Sequence, residues 1–443
     1  MAVSAARTRI AGWGLALLAV GNGLVVVGLW GVDGARDMHD TAGVLTGLGR
    51  VTGLLGAYLA LVQLLLLARL PVLDRLVGLH RLTAWHRAGG FAVLGLLVAH
   101  TLLITAGYTV GDNISLGAEI DRLITGYPGV ITATAGLVAL IGVTVTSIVI
   151  VRRRLSYETW YFVHLYAYLG IVLAFSHQLA TGSDFVGDSL ARAYWYALYI
   201  ATFGAIVGFR IALPVVRSLR HRLRVASVSD EGPGVVSVEI GGVALERLRA
   251  RTGQFFTWRF LTRERWFQAH PFSLSAAPDP SRLRITVKGV GDFSTSLRAL
   301  RPGTRVIVEG PFGSFTAATR RRARVALIAG GIGITPIRAL LEDMPGEPGD
   351  IAVVYRAIGP DDVILRHELD ELAGRRGIEL HYVLGDHRTS EFLGPEHLQE
   401  LIPDIAARDV YVCGPPAMTE ATRASLDRSG VPRRHVFTER FAL

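Results

Sequence analysis

Six stretches in the first half of the chain run without Asp, Glu, Lys or Arg: residues 10–32, 51–68, 88–111, 129–151, 159–183 and 193–209. About 20 helical residues at a rise of about 1.5 Å cross the roughly 30 Å hydrocarbon layer of a bilayer, so these stretches read as transmembrane helices. The last is short, and Arg192 and Arg210 at its ends are expected to snorkel. With 19% charged residues and a positive mean hydropathy, the 443-residue chain is too apolar for an ordinary soluble protein of its length. The excess lies before residue 213, and from Arg217 onward charged and apolar residues mix as in a soluble domain.

Flanking charge sets a direction. Arg7 and Arg9, then Arg69, Arg75, Arg81 and Arg87, then Arg152 to Arg154, then Arg210 fall on one side. Asp33, Asp37, Asp40, Asp112, Glu119, Asp121, Asp184 and Asp188 fall on the other. The positive-inside rule then predicts a multi-pass protein of the inner (plasma) membrane with both termini in the cytoplasm. Residues 1–32 also fit a signal peptide, but the apolar run is long for one and a retained helix is favoured. The net charge of +9 comes from arginines at the ends of apolar runs and from Arg217, Arg220, Arg222 and Arg224. That distribution marks a membrane surface and argues against nucleic acid as a partner. The single cysteine, Cys413, excludes disulfides within the chain and Cys-ligated iron–sulfur clusters.

His86, His100, His164 and His177 lie within or at the edge of the third and fifth apolar runs. Imidazoles are costly in lipid unless paired or ligating. The members of each pair are 14 and 13 residues apart, a separation of roughly 20 Å along a helix. Both runs cross in the same direction, so His86 is expected to meet His164 at the cytoplasmic level and His100 to meet His177 at the outer level. Two stacked b-type haems, each held by one histidine from each helix, need this arrangement. His80 is too far from His100 to match the other pair. One feature departs from an ideal helix: 14 residues return to within about 40° of the same face, whereas 13 end about 140° away. Either the two pairs sit at different azimuths, or the fifth helix is deformed near Gly170.

After the arginine-rich segment, residues 225–229, 235–240, 255–260, 284–287 and 305–308 read as short strands between Gly- and Pro-containing turns, which predicts a small antiparallel barrel. Within it lies the extended run His270-Pro271-Phe272-Ser273-Leu274-Ser275. A second run, Gly289 to Leu297, enters a helix whose first N–H groups suit a pyrophosphate, with Ser294 as its cap. The pattern then changes. A strand at 325–329 leads into Gly330-Gly331-Ile332-Gly333-Ile334-Thr335-Pro336 and a helix, and strands at 351–355, 379–383 and 410–412 alternate with helical segments. A parallel α/β domain with ligand at the strand C-termini follows. Cys413-Gly414-Pro415-Pro416-Ala417-Met418 ends one of those strands.

In this order, HPFSLS, GDFST, EGPFG, AGGIGITP and CGPPAM resemble the ferredoxin-NADP reductase superfamily. Joined to six spans with the two histidine pairs, they resemble the ferric reductase and NADPH oxidase family in a bacterial form. The resemblance implies a haem-binding transmembrane domain (1–215), an FAD-binding β-barrel domain (216–318) and an NAD(P)-binding α/β domain (319–443). It also implies that His270 contacts the FAD phosphates and that Pro271, Phe272 and Ser273 line the isoalloxazine. Gly291, Ser294 and Thr295 would hold the FAD pyrophosphate, and Gly330, Gly331, Gly333 and Thr335 that of the nicotinamide nucleotide. Cys413 and Gly414 would lie at the nicotinamide, with Phe441 as the terminal aromatic that shields the flavin. Arg356, at the end of the strand starting at Ile351, suits a ribose 2′-phosphate and so NADPH. Asp361 and Asp362 soon after keep NADH as the alternative.

The implied activity is transfer of electrons from cytoplasmic NAD(P)H through FAD and two haems to a small one-electron acceptor outside. Oxygen, giving superoxide, ranks slightly ahead of a ferric chelate. A third reading makes the chain the electron-donating subunit for a periplasmic or membrane partner protein.

Overall fold

The computed structural model describes residues 2–33, 38–152, 154–155, 157–181, 185, 188–385 and 393–440. The chain divides into two compact units, Met1–Ile211 and Ala212–Leu443.

The first unit is helical: α1 (Ala2–Asp33), α2 (Thr41–Leu66), α3 (Pro71–Leu76), α4 (Leu79–Asp112), α5 (Leu116–Gly126), α6 (Val130–Ser147), α7 (Tyr157–Thr181) and α8 (Ser189–Ile206). All but α3 and α5 are long and apolar enough to cross a membrane. Acids at the helix starts do local work. Asp40 accepts from the Gly43 N–H at 2.7 Å, and Asp188 accepts from Leu190 and Ala191 at 2.8 and 3.1 Å, satisfying donors at the positive end of each helix.

Two differences from the sequence reading have physical reasons. Helix α2 starts at Thr41 and so contains Arg50, because a long arginine side chain is tolerated near a helix end where a charge-free criterion stops short. The segment holding Glu119, Asp121 and Arg122, to which the sequence reading assigned no element, is a helix, α5, capped by the Ser115 hydroxyl. Helix α8 runs on into a π-helical turn, Val207–Ala212. Arg210 in that turn donates to the Leu67 carbonyl at 3.4 Å, meeting one of the exposed acceptors at the end of α2.

Tight packing follows small residues. On α2, a side chain at Gly53 would start 2.5 Å from His100 Nδ1, and one at Gly56 would start 2.8 Å from Leu97 on α4. Gly136 on α6 and Gly170 on α7 face one another so closely that a Cβ on either meets the other's carbonyl oxygen, at 2.5 and 2.8 Å. Such close approach of backbones supplies the dispersion contact that holds helices together in lipid. The result is two tight helix pairs, α2 with α4 and α6 with α7, while α4 and α7 scarcely pack on one another.

The second unit opens with α9 (Leu213–Arg220) and contains two three-stranded antiparallel sheets, built from β1 (Arg224–Gly232), β2 (Val235–Gly241), β3 (Phe255–Phe260), β4 (His270–Ser273), β5 (Arg282–Lys288) and β6 (Val306–Phe312). The orders are β1-β2-β5 and β4-β3-β6. Bridges Arg224↔Arg305 and Leu274↔Ile285 join the sheets at both seams, closing a six-stranded barrel with no free edge. Its interior is apolar and includes Val238, Ile240, Phe256, Trp258, Leu274 and Ile285, each buried. The expected barrel is present, with β4 as its sixth strand.

Beyond α10 (Asp292–Ser296) the period changes to β7 (Val325–Gly330), α11 (Ile334–Asp343), β8 (Ile351–Ala357), α12 (Arg366–Arg376), β9 (Glu379–Leu384), α13 (Pro395–Leu401), β10 (Asp409–Gly414), α14 (Pro416–Arg428) and β11 (Val436–Arg440). All five strands are parallel, in the order β11-β10-β7-β8-β9. The central strands β7, β8 and β10 are almost entirely buried and largely apolar because helices cover both faces. The chain winds outward from β7 through β8 to β9, then returns to place β10 on the other side of β7. The crevice beyond the C-termini of β7 and β10 is therefore the topological switch point, where ligands bind in such sheets.

Candidate functional site

In the first unit the rings of His86 and His164 have their centres 5.9 Å apart, and those of His100 and His177 are 6.2 Å apart. Two imidazoles binding one iron from opposite sides through bonds of about 2 Å hold their ring centres about 6 Å apart. Helix α7 is unbroken through Gly170, so no deformation brings the rings together. The two pairs instead sit at different azimuths around α7, and Gly170 serves the contact with α6.

Every Nδ1 of the four is engaged. His86 reaches the Gln63 carbonyl at 3.2 Å and His100 the Gly49 carbonyl at 2.8 Å. His177 reaches Thr181 Oγ1 at 2.8 Å and His164 reaches Ser147 Oγ at 3.3 Å. Carbonyls only accept, and both hydroxyls already donate to backbone carbonyls, Thr181 to His177 and Ser147 to Val143. All four Nδ1 atoms are therefore the donors, which leaves Nε2 of each ring as the lone-pair nitrogen. That is the tautomer a metal-binding histidine needs, with its other nitrogen oriented by hydrogen bonding. Trp160 stacks on His164 at 5.0 Å, with the Arg152 guanidinium 4.6 Å from the indole.

In the second unit, His270 on β4 stacks on Phe293 at 4.0 Å, and the Phe272 ring lies nearly parallel to Phe293 at 6.3 Å. Pro271 is exposed, whereas Ser273 is buried and its hydroxyl lacks a hydrogen-bond partner. A buried unsatisfied hydroxyl costs about 1–3 kcal/mol, so Ser273 is fitted to a ligand that supplies the missing partner. Phe293 lies in α10, which follows Gly289 and Gly291. The cap of this single turn is Gly291 and not Ser294, whose hydroxyl instead accepts from the N–H groups of Val290 and Gly291 at 3.0 and 3.1 Å. Ser294 sits at the third position of the turn, from which its hydroxyl reaches back to pin the loop. Ser294 and Thr295 line a shallow hollow with Gly234, Val236, Gly289 and Arg298.

The switch point joins the remaining motifs. A Cβ at Gly333 would collide with the Cys413 carbonyl, and one at Gly414 would start 3.2 Å from the Gly330 N–H, so both loops close only as glycine. Gly331 takes φ +53° with open space before it. Thr335 is buried, and its hydroxyl is spent on the Ile332 carbonyl at 3.0 Å. Arg356 pairs in register with Gly330 at the same edge of the sheet. Cys413 is fully buried, and burial, aided by Glu439, pushes its thiol well above the ordinary range. Glu439 is the register partner of Cys413 on β11, and burial raises its carboxyl to about 7. Phe441 lies outside the described residues.

Comparison with known proteins reads the same halves. Residues 52–175 match the family described as ferric reductase like transmembrane component, and residues 327–424 match the oxidoreductase NAD-binding domain. Together the two matched segments resemble the architecture of the ferric reductase and NADPH oxidase family. The first match spans His86, His100 and His164 and ends two residues before His177. Among curated relatives, NADH-cytochrome b5 reductase 1 of Laccaria bicolor is 30% identical over 177 residues, 37% of this chain and 56% of that protein. The Dictyostelium discoideum protein of the same name is 32% identical over 167 residues, 35% of this chain and 58% of that one. The matches thus span little more than half of those relatives. The FAD/NAD-binding domain of Vibrio cholerae nitric oxide dioxygenase overlays 49% of this chain and 97% of its own length at 23% identity, with a TM-score of 0.42.

Two residues near these sites escaped the sequence reading. Glu439 carries no motif, and only the β10–β11 register brings it beside Cys413. Arg50 was passed over as a flank of the second span, although it lies one helical turn from Gly53, which abuts His100.

Proposed function

We propose that the protein is a transmembrane oxidoreductase that takes electrons from cytoplasmic NAD(P)H and delivers them singly to an acceptor on the other side of the membrane. The observation that carries this reading is the pair of histidine couples, each at the separation iron requires and each with Nε2 free to bind it. Bound FAD would accept a hydride, with a nicotinamide C–H bond breaking and a flavin N–H bond forming, and would return two electrons one at a time to b haems.

The chain's own part is placement. His86 with His164, and His100 with His177, would hold the two haems, their Nδ1 partners fixing each ring. Ser273 would offer a hydroxyl to the flavin and Phe272 a ring face, His270 would contact its phosphates, and the turn formed by Gly291, Ser294 and Thr295 would border its pyrophosphate. Gly331 faces open space for the second dinucleotide, Gly330 and Gly333 let that loop close against Met418 and Cys413, and Thr335 follows in the first turn of α11; Cys413, Gly414 and Glu439 would close the far side. Arg356 supports NADPH by its planar cation, while Asp361, Asp362 and the NADH named in the relatives support NADH. The arginines flanking the spans support cytoplasmic termini.

Purified protein tests the relay directly. Anaerobic NADPH or NADH is expected to reduce flavin first and then both haems, seen as sharpened b-type α bands. Oxidation of the coenzyme with the haem bands unmoved would sink it. For the acceptor, oxygen is our first reading, tested by cytochrome c reduction that superoxide dismutase abolishes. The matched transmembrane family's name favours a ferric chelate as the second, tested by anaerobic ferrous-iron release.

A further inference from the structure

Between the flavin strand and the dinucleotide loop lies a cluster of charges that the proposed reaction does not yet use. Arg284 on β5 grips Glu368 on α12 through both guanidinium nitrogens, Nη1 and Nη2, each at 2.8 Å. Arg338 on α11 puts Nε 2.7 Å from the same carboxylate and Nη1 2.6 Å from Glu342. Both arginines also donate to one acceptor, the Ser275 carbonyl, at 3.0 and 3.2 Å. Glu342 in turn accepts from the Ala277 N–H. Arg338 is only 8% exposed.

The placement has a consequence for geometry. Ser275 is two residues past Ser273, whose buried, unpartnered hydroxyl is the one proposed above for the flavin. Arg338 is five residues past Gly333, at the mouth of the dinucleotide loop. One rigid fork therefore joins the strand that carries one reactant to the helix that carries the other. Stability alone is a weak reason for it, since burying such charges costs about as much as their attraction returns. Apolar contact between the two lobes already exists, with Phe315 against Tyr411 at 5.3 Å. What a bidentate pair adds is a fixed distance and a fixed rotation.

We propose that Glu368, held by Arg284 and Arg338, sets the spacing between flavin and nicotinamide, making Arg338 and Glu368 positioning residues for hydride transfer. The inference rests on the function proposed above. Reacting atoms must approach to about 3–3.5 Å, and a slip of about 1 Å costs on the order of a hundredfold in rate.

The test uses the full-length, flavin-loaded protein and anaerobic stopped-flow reduction of the flavin by NADPH and by NADH. Glu368→Gln and Arg338→Lys are expected to slow the limiting rate by about ten- to a hundredfold with coenzyme half-saturation little changed. The isotope effect with coenzyme deuterated at C4 should grow, because transfer becomes more fully rate-limiting. Glu368→Asp, which keeps the charge, should recover part of the rate. Native limiting rates in the variants would overturn the inference alone. So would slow rates explained entirely by lost flavin in all three variants, since the role would then be structural. An unaltered protein whose flavin neither coenzyme reduces would overturn the function reading, and this inference with it.

Discussion

Glu439 shows how much a single buried group decides. Its carboxyl, raised by burial from an ordinary 4.5 to about 7, favours the protonated form in the folded chain. The associated stability is present in full below pH 4.5 and is lost as pH rises through about 7, a swing of about 3 kcal/mol. We expect the melting temperature of the flavin and nucleotide half to fall across that window, and Glu439→Gln to remove most of the fall. Flavin reduction should show an inflection near pH 7 that the same variant abolishes. Arg356→Ser should raise KM for NADPH about tenfold and leave that for NADH nearly unchanged, if the guanidinium meets a 2′-phosphate. The histidine couples were legible in the sequence because lipid leaves so few reasons for an imidazole. Glu439 was not legible, because an acid in a short strand has many uses and its partner lies on a strand distant in sequence. Ser294 was misread as a cap because the preference for Ser at a helix start does not fix where the helix starts, and the turn begins three residues earlier, at Gly291.

At the scale of elements, the spans and most strands follow from periodicity and charge, since a bilayer and a closed barrel each permit one pattern. Boundaries obeyed a different logic. Arg50 lies inside α2 because a flexible side chain can reach polar surroundings from within a helix, and α5 forms where Ser115 caps a segment too charged to be sought as a span. Strand β4 has only four residues and depends on β3 for its hydrogen bonds, so its pairing is invisible to local pattern. The close approach of α2 to α4 gives a sharp test. Gly53→Ala must push His100 aside, and we expect about 1–3 kcal/mol of destabilisation together with loss of one haem per chain by pyridine haemochrome assay. Gly95→Ala on α4 meets nothing within 4 Å and should leave haem content unchanged.

For the molecule as a whole, a relay that carries electrons but not protons moves charge across the membrane. In vesicles with the flavin half outward, NADPH-driven reduction of an internal acceptor should slow as the lumen becomes negative and recover when valinomycin and potassium dissipate the potential. The magnitude is set by about 2.3 kcal/mol per charge per 100 mV. Unchanged rates would mean that the charge is compensated inside the protein. A different consequence comes from the scarcity of direct packing between α4 and α7. If porphyrin iron is what bridges those helices, the cofactor acts as a keystone of assembly, a direct tie between α4 and α7, which otherwise meet through their neighbours, α6 against α4 and α8 against α7. Cells starved of haem should then accumulate little of this protein, with membrane quality-control proteases removing the unbridged form even while its messenger RNA is fully translated.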